Sequence, residues 1–209
     1  MRSWRELVAV IGAVAILVLT LGMTSLRSES ARRTLCQANL REIYRAEQQY
    51  EEEHGSIPPL YIEQLPSWIF WHSFVAPLVN DVRVFACPSD PRSAYLFEEN
   101  TSPLFSGTVA LTSCYGMNRF LLAAGAQKAH APAARLKYLQ QPSHTVVFMD
   151  SLRPFVTPDL LWSDKRNFRH DQKANYIFAD GAVKHLDQGF FGTFEGDKFL
   201  TDFSRWHWR

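Results

Sequence analysis

The side chains best suited to chemistry lie in the last third of the sequence. They are histidines and carboxylates, which serve in proteins as general acids, general bases and metal ligands: Asp150, His170, Asp171, Asp180 and His185. A catalytic or metal site would require these groups to converge on one point. The sequence offers no accompanying nucleophile elbow, HExxH motif or phosphate loop.

The spacing of these residues argues against such a site. Two strand-like runs, residues 174–179 (ANYIFA) and 182–186 (AVKHL), flank Asp180 and Gly181. An Asp-Gly pair between two such runs predicts a hairpin with positive backbone φ angles in a type I′ turn. His170 would then lie at the open end of the hairpin, roughly 17–20 Å from Asp180 at its tip. We therefore expect no catalysis, and a structural role for His170 through hydrogen bonds to loop carbonyls or to the CPSD segment.

Other strands must position these side chains. Residues 145–148 (TVVF) are β-branched and aromatic, and they predict a buried strand that leads to Asp150. Short strands are also predicted at residues 82–87, which run into the CPSD turn, and at residues 111–117.

A long helix is predicted upstream of these strands. Residues 28–54 contain neither glycine nor proline. Apolar residues recur along one helical face: Cys36, Leu40, Ile43 and Tyr50. Charged residues occupy the other faces, and Glu29 and Arg33 have the i,i+4 spacing of a favourable ion pair. Gly55 predicts the end of the helix.

An uncharged run of twenty residues, 7–26, continues this helix toward the N-terminus. At about 1.5 Å per residue it would cover roughly 30 Å, the thickness of the hydrocarbon core of a bilayer. It is longer than the apolar region of a cleavable signal peptide. We therefore predict a transmembrane half of the long helix at residues 1–26. Residues 27–209 would form a globular domain that includes the rest of the helix.

Charge and cysteine content exclude some classes of protein. A formal net charge of +1, from 22 Lys and Arg against 21 Asp and Glu, gives no bulk attraction to nucleic acid, so we expect no nucleic-acid partner. Cys36, Cys87 and Cys114 are too few for a disulfide framework or a zinc finger. One disulfide and one remaining thiol would suit an exported domain, and the sequence leaves the pair open.

Several ordered segments resemble one family. His170, nine intervening residues and Asp180-Gly181 resemble the H-X9-DG segment of bacterial prepilin-type, pseudopilin-like proteins of the type II secretion G-like kind. Four further segments are similar to that family in the same order: the helix and its Pro-rich exit at residues 30–59, Cys87-Pro88-Ser89-Asp90, Tyr115-Gly116-Met117-Asn118, and the strand at residues 142–151 that holds Asp150.

This resemblance implies an α+β, pilin-like fold, in which the long N-terminal helix packs its domain half on an antiparallel β-sheet. It implies a non-enzymatic structural protein that belongs to, or is associated with, type II secretion or type IV pilus-like assembly. The implied location is the inner (cytoplasmic) membrane, with a single pass and an extracytoplasmic C-terminal domain. The implied partners are other pilin-like subunits or secretion machinery. The alternative is a membrane-tethered binding domain that does not polymerise.

The resemblance also suggests one ion. Pseudopilins of related type hold calcium in a loop, and calcium prefers oxygen ligands. The candidate ligands are Asp150, Asp171, Asp180 and Asp187. These residues lack the spacing of an EF-hand. We assign no residue to a metal and expect no other cofactor.

The start of the chain departs from the family pattern. Glu6 and Leu7 match the Glu-Leu of the prepilin N-terminal segment, a position tied to processing and assembly, but Met1-Arg2 stands where that family has its Gly-Phe cleavage junction. Cleavage by prepilin peptidase and polymerisation therefore stay open. Either a start codon was assigned too late and drops a short leader, or the protein is a monomeric anchored member. Glu6 would be a membrane-flank charge or would pair with the N-terminal amine of a neighbouring subunit.

Overall fold

The structure is a computed structural model, and it describes residues 4–64, 67–90, 113–121, 135–139, 141–157, 165–187, 192–195 and 198–201. Within these residues helices and strands combine in an α+β arrangement. The helices are α1 (Trp4–His54) and α2 (Trp71–Val75). The strands are β1 (Tyr61–Gln64), β2 (Ser67–Phe70), β3 (Tyr115–Asn118), β4 (Val146–Asp150), β5 (Phe155–Val156), β6 (Lys173–Phe178), β7 (Val183–Asp187), β8 (Gly192–Glu195) and β9 (Lys198–Thr201).

The domain half of α1 packs one face against the rest of the domain. Of the predicted stripe, Cys36, Leu40 and Ile43 are fully buried, and Tyr50 is partly buried. The helix ends at His54, and Gly55 follows with φ of 76° and donates its N–H to the carbonyl of residue 51 at 2.8 Å. This is the left-handed glycine stop that the sequence predicts.

The main sheet has five strands in the order β5-β3-β4-β6-β7. The neighbouring pairs β3-β4, β4-β6 and β6-β7 are antiparallel, but β5 runs parallel to β3. The prediction of an antiparallel sheet is therefore wrong at this edge. The chain reverses direction after β4 and returns on the far side of β3, and this reversal makes β5 parallel to β3.

That return passes very close to Gly116 in β3. A Cβ atom on Gly116 would lie 2.8 Å from the carbonyl oxygen of Arg153 and 2.9 Å from side-chain atoms of Ser151 and Val156. A side chain at position 116 would push the crossing segment away from the sheet. The glycine of the YGMN segment is thus required by close packing.

The predicted hairpin is present as β6 and β7, but its turn differs from the prediction. Gly181 has φ of 81°, whereas Asp180 does not have a positive φ. Gly181 donates its N–H to the carbonyl of Phe178 at 2.8 Å, and Phe178 donates to the carbonyl of Ala182 at 2.9 Å. These bonds define a three-residue loop with a left-handed glycine at its end, one of the common hairpin connections.

The strand predicted at residues 82–87 is also wrong. Val82–Phe85 form a 3₁₀ turn, which begins where Asp81 accepts the N–H of Arg83 at 2.9 Å through its side chain. This local cap competes with an extended conformation. The strand predicted at residues 111–117 is found as β3, which begins at Tyr115, and residues 111–112 lie outside the described residues.

Among the residues that the structure describes, no helix has both the length and the hydropathy needed to cross a membrane. The side chains of Glu6, Leu7 and residues 15–27 lie outside the description. The division of the chain into a membrane half and a domain half stays a prediction.

Candidate functional site

The candidate site lies where α1, the CPSD loop (residues 87–90) and the strands β4 and β6 meet. Cys36 of α1 and Cys87 of the loop bring their Sγ atoms to 2.7 Å, and both residues are fully buried. Asp150 ends β4, and His170 precedes β6. One ligand atom from each of these four residues lies within 4.8 Å of the others. We call this group the buried cluster.

His170 is fully buried, and both of its ring nitrogens face polar partners. Nδ1 lies 2.7 Å from Oε1 of Glu29, and Nε2 lies 3.4 Å from Sγ of Cys87 and 3.7 Å from Oδ2 of Asp150. Burial by itself lowers the pKa of His170, but the contacts with Cys87, Asp150 and Glu29 outweigh burial and raise the pKa to about 9. At neutral pH His170 is an imidazolium held between two carboxylates.

A tight turn presents His170 to α1. Asp171 and Gln172 have φ of 51° and 61°. His170 and Lys173 exchange backbone hydrogen bonds of 3.1 and 2.9 Å across them. Two consecutive positive φ angles are the requirement of a type I′ turn. The turn geometry predicted for the hairpin tip is therefore found at the other end of β6.

Glu29 connects three parts of the molecule. Besides His170, it accepts hydrogen bonds from Ser89 of the CPSD loop at 3.3 Å and from Arg32 at 3.0 Å. The ion pair predicted with Arg33 is not formed, because the guanidinium of Arg33 lies 3.9 Å from the carboxylate of Asp171 instead. Burial raises the pKa of Glu29, but the bonds from His170 and Arg32 outweigh it and lower the pKa.

Asp150 is held by the neighbouring strand. Its Oδ2 accepts the backbone N–H of Asn175 at 2.6 Å and the side-chain Nδ2 at 2.9 Å, whereas Oδ1 is buried without a hydrogen-bond partner among the described residues. Burial raises the pKa of Asp150, and the nearby cations Arg169 and His170 oppose that shift.

A second ion pair lies beside the buried cluster. The guanidinium of Arg169 pairs with the carboxylate of Asp90, the last residue of the CPSD segment, and their side chains are 6% and 1% exposed. Arg169 also donates to the carbonyl of Cys114 at 3.2 Å. Burial lowers the pKa of Arg169, but the nearby carboxylates Asp150 and Asp90 help to raise it overall. The pair fixes the CPSD loop to the segment before β6.

The YGMN segment serves packing. Tyr115 and Met117 are fully buried, and the hydroxyl of Tyr115 accepts a hydrogen bond from Nδ2 of Asn39 at 3.3 Å. Asn118 donates to the carbonyl of Val146 at 2.8 Å and so joins β3 to β4. These residues support the sheet beneath the buried cluster.

Other sequence candidates do not join the cluster. Asp180 is exposed at the hairpin tip, and Gly181 beside it lies against Tyr44 of α1. His185 lies near His170, with ring centroids 6.4 Å apart, but it bonds Asn175, and burial together with nearby cations lowers its pKa to about 4. Of the candidate calcium ligands, Asp150 alone lies in the metal-ligand group found within the described residues, and the remaining three are exposed: Asp171, Asp180 and Asp187.

Sequence reasoning missed the roles of Glu29 and Cys36 in this site. The sequence predicts Cys36 as part of an apolar stripe and as one of three possible disulfide partners, and it predicts Glu29 only as the partner of Arg33. Glu29 contacts a residue 141 positions away, and Cys36 contacts one 51 positions away. No local pattern reports contacts at that separation. The three cysteines alone indicated that some pair could meet.

Three of these residues follow the order of a thiol–imidazole–carboxylate triad. Sγ of Cys87 faces Nε2 of His170, and Nδ1 of His170 faces the carboxylate of Glu29. Two observations oppose nucleophilic chemistry. Cys87 and His170 are fully buried, and hydrogen bonding to Cys36 together with burial raises the pKa of the Cys87 thiol. Reactive cysteines are partly exposed and have depressed pKa values. The arrangement is therefore suited to holding α1, the CPSD loop and β6 together.

A family model described as a protein of unknown function (DUF1559) matches residues 27–81, about a quarter of the chain. The matched stretch runs from the domain half of α1 to the residue before the 3₁₀ turn, and it contains Glu29 and Cys36. No curated protein and no solved structure matches the chain.

Proposed function

We propose that this chain is a non-enzymatic, membrane-anchored, pilin-like structural protein. Its long helix would hold an extracytoplasmic domain at the inner membrane and would join other pilin-like subunits or secretion machinery in type II secretion or pilus-like assembly. The family whose model matches residues 27–81 is associated with prepilin-like proteins, which supports this proposal.

The observation that carries the proposal is the contrast between the two ends of α1. In the domain half, one face of the helix is buried. Near the N-terminus, four apolar side chains are each more than half exposed: Val8, Val10, Ile11 and Val14. A contiguous apolar surface of this kind calls for lipid or a partner helix around it.

The buried cluster supports the non-enzymatic part of the proposal. A catalytic group must reach its substrate, whereas His170 and Cys87 have no exposed surface. Their contacts instead connect α1 to the CPSD loop and to β6. Such connections would keep the domain attached to α1.

The test uses the full chain in native membranes, with a photo-cross-linking amino acid at position 14. The matched control carries the same probe at Val82, a partly exposed apolar residue on the globular domain. We expect the chain to stay with the membrane after an alkaline carbonate wash. Illumination should give a ladder of self-adducts from position 14 and no such ladder from position 82.

The other outcomes separate the alternatives. Retention in the membrane with lipid adducts and no ladder would favour the tethered binding domain that does not polymerise. Release of the chain by carbonate would refute the anchor itself. Protease added to spheroplasts should remove the domain, and a protected domain would contradict the extracytoplasmic orientation.

A further inference from the structure

We propose that Cys36 and Cys87 form a disulfide that covalently fastens α1 to the CPSD loop. The Sγ atoms lie 2.7 Å apart in a fully buried environment, well inside an ordinary non-bonded contact between sulfur atoms. A disulfide requires them to approach by about 0.7 Å, to an S–S distance of about 2.05 Å. Cys114 is also buried but lies outside the buried cluster.

A zinc ion on the same four residues fits the geometry less well. Bond lengths of about 2.3 Å to sulfur and 2.0 Å to nitrogen or oxygen place the ligand atoms of a tetrahedral site roughly 3.3–3.8 Å apart. In the buried cluster the two sulfurs are closer than this, at 2.7 Å, whereas Nε2 of His170 lies 3.4 Å from Sγ of Cys87 and 3.7 Å from Oδ2 of Asp150, within this range. Zinc would need the two sulfurs to move apart by about 1 Å, whereas the disulfide needs them to approach by about 0.7 Å.

His170 and one oxygen of Asp150 have polar partners without a metal, whereas Oδ1 of Asp150 has none among the described residues. His170 lies between Glu29 and Asp150, so each ring nitrogen faces a carboxylate. Asp150 also accepts two hydrogen bonds from Asn175. The disulfide and His170 would therefore lie side by side and fasten α1 at two neighbouring points, Cys36 and Glu29.

The bond forms by thiol–disulfide exchange with an oxidant that itself carries a disulfide. One cysteine thiolate attacks the oxidant and releases one of its thiols, and the second cysteine then attacks the mixed disulfide and releases the other. Two thiols lose two protons and two electrons, and the oxidant's disulfide is reduced to a dithiol. Because both sulfurs are buried in the fold, this exchange takes place before the domain closes over them. In the cell it rests on the proposed extracytoplasmic location, since disulfides persist in oxidising compartments.

The experiment counts thiols in the full chain, purified in detergent without reductant and unfolded in the presence of a maleimide. We expect one labelled cysteine before reduction and three after it. A tryptic peptide pair containing Cys36 and Cys87 should have a mass lower by two hydrogen atoms than the sum of the reduced peptides. A parallel sample, reduced and unfolded and then refolded with oxidised glutathione, tests the geometry independently of the compartment.

Variants measure what the bond contributes. C36S, C87S and the double variant should lose the same amount of thermal stability, a fall in Tm of roughly 10 °C for a loop of 51 residues. C114S, which removes a buried thiol outside the cluster, is the matched control and should keep the linked peptide pair.

Two results would overturn the proposal. One is labelling of all three cysteines after refolding with oxidised glutathione. The other is stoichiometric zinc in the purified chain with Cys36 and Cys87 both reduced. A disulfide that forms with glutathione but is missing from cells would contradict the proposed location and leave the geometry intact, so the two proposals fail separately.

Discussion

The ion pair between Asp90 and Arg169 allows a sharp test of how the CPSD loop is held. The side chains of both residues are almost wholly buried. Asp90→Asn keeps the size of the side chain but removes its charge, so Arg169 loses its paired carboxylate without a cavity being created. Breaking a buried ion pair by changing one partner costs about 3–5 kcal/mol. Asp150 remains near Arg169, so we expect the lower end, about 3 kcal/mol.

The matched control is Asp81→Asn. Asp81 also pairs with an arginine, Arg83, at 2.6 Å, but Arg83 is 79% exposed and Asp81 is 42% exposed. Solvent screening makes such a pair contribute little to stability. We therefore expect the unfolding midpoint of Asp81→Asn to match that of the unmodified chain. Both variants make the same Asp→Asn change beside an arginine, so the difference between their unfolding midpoints reports the effect of burial.

The assay is urea unfolding of the full chain in detergent, followed by tryptophan fluorescence and far-UV circular dichroism. Asp90→Asn should lower the midpoint with little change in the m-value, and it should lower Tm by about 6–12 °C. The Asp90→Asn/Arg169→Met double variant should be less destabilised than the sum of the two single variants, because neither charge is then left alone. If Asp90→Asn proved as stable as Asp81→Asn, the claim that this buried pair holds the loop would be refuted.

Two further predictions concern Glu47 and Gly116. Burial and the neighbouring Glu51 raise the pKa of Glu47 well above its usual value, and both of its oxygens lack hydrogen-bond partners among the described residues. The folded state therefore keeps a proton that the unfolded state loses, so stability should fall as pH rises above about 5, by up to about 1.4 kcal/mol per pH unit. In urea titrations at several pH values, Glu47→Gln should make the unfolding free energy depend less on pH. The same change at exposed Glu53 is the control and should leave the dependence as it is. An unchanged dependence in Glu47→Gln would contradict the claim that Glu47 is protonated in the folded state. Gly116→Ala should cost about 1–3 kcal/mol in the same assay, because its Cβ would meet the crossing backbone, whereas Gly12→Ala meets nothing within 4 Å; equal midpoints for the two variants would count against that crossing.

Elements with strong local patterns were predictable. The stripe through Cys36, Leu40 and Ile43 predicts the buried face of α1, and Gly55 predicts its end, because both depend on helix geometry within a few residues. The strands β4 and β6 follow from runs of β-branched and aromatic residues, and β7 follows from the Asp-Gly pair that separates it from β6. In each case the local preference and the tertiary packing agree.

The remaining features depend on contacts that local patterns do not report. The residues Val82–Phe85 predict a strand by their pattern, but the side-chain cap from Asp81 stabilises a 3₁₀ turn there instead. The parallel strand β5 has two residues and no periodicity of its own. The buried cluster joins residues from four segments. The sequence offered the histidine, the aspartate and the cysteines separately, and only the fold shows which of them meet.

The spacing of the H-X9-DG segment can now be explained by packing. Three contacts pair α1 with this segment in order: Glu29 with His170, Gln37 with Asn175, and Tyr44 with Ala179. The tight turn brings His170 level with Lys173, and the strand from Lys173 to Ala179 covers about 20 Å at 3.3 Å per residue. The helix from Glu29 to Tyr44 covers about 22 Å at 1.5 Å per residue. The two lengths match, so His170 reaches α1 at one end while the Asp-Gly loop reaches it at the other. Adding or removing one residue in β6 would reverse the faces of the strand and break one of the two contacts. The nine-residue interval is therefore set by the length of helix that the hairpin spans, and it does not require His170 and Asp180 to act on a common ligand.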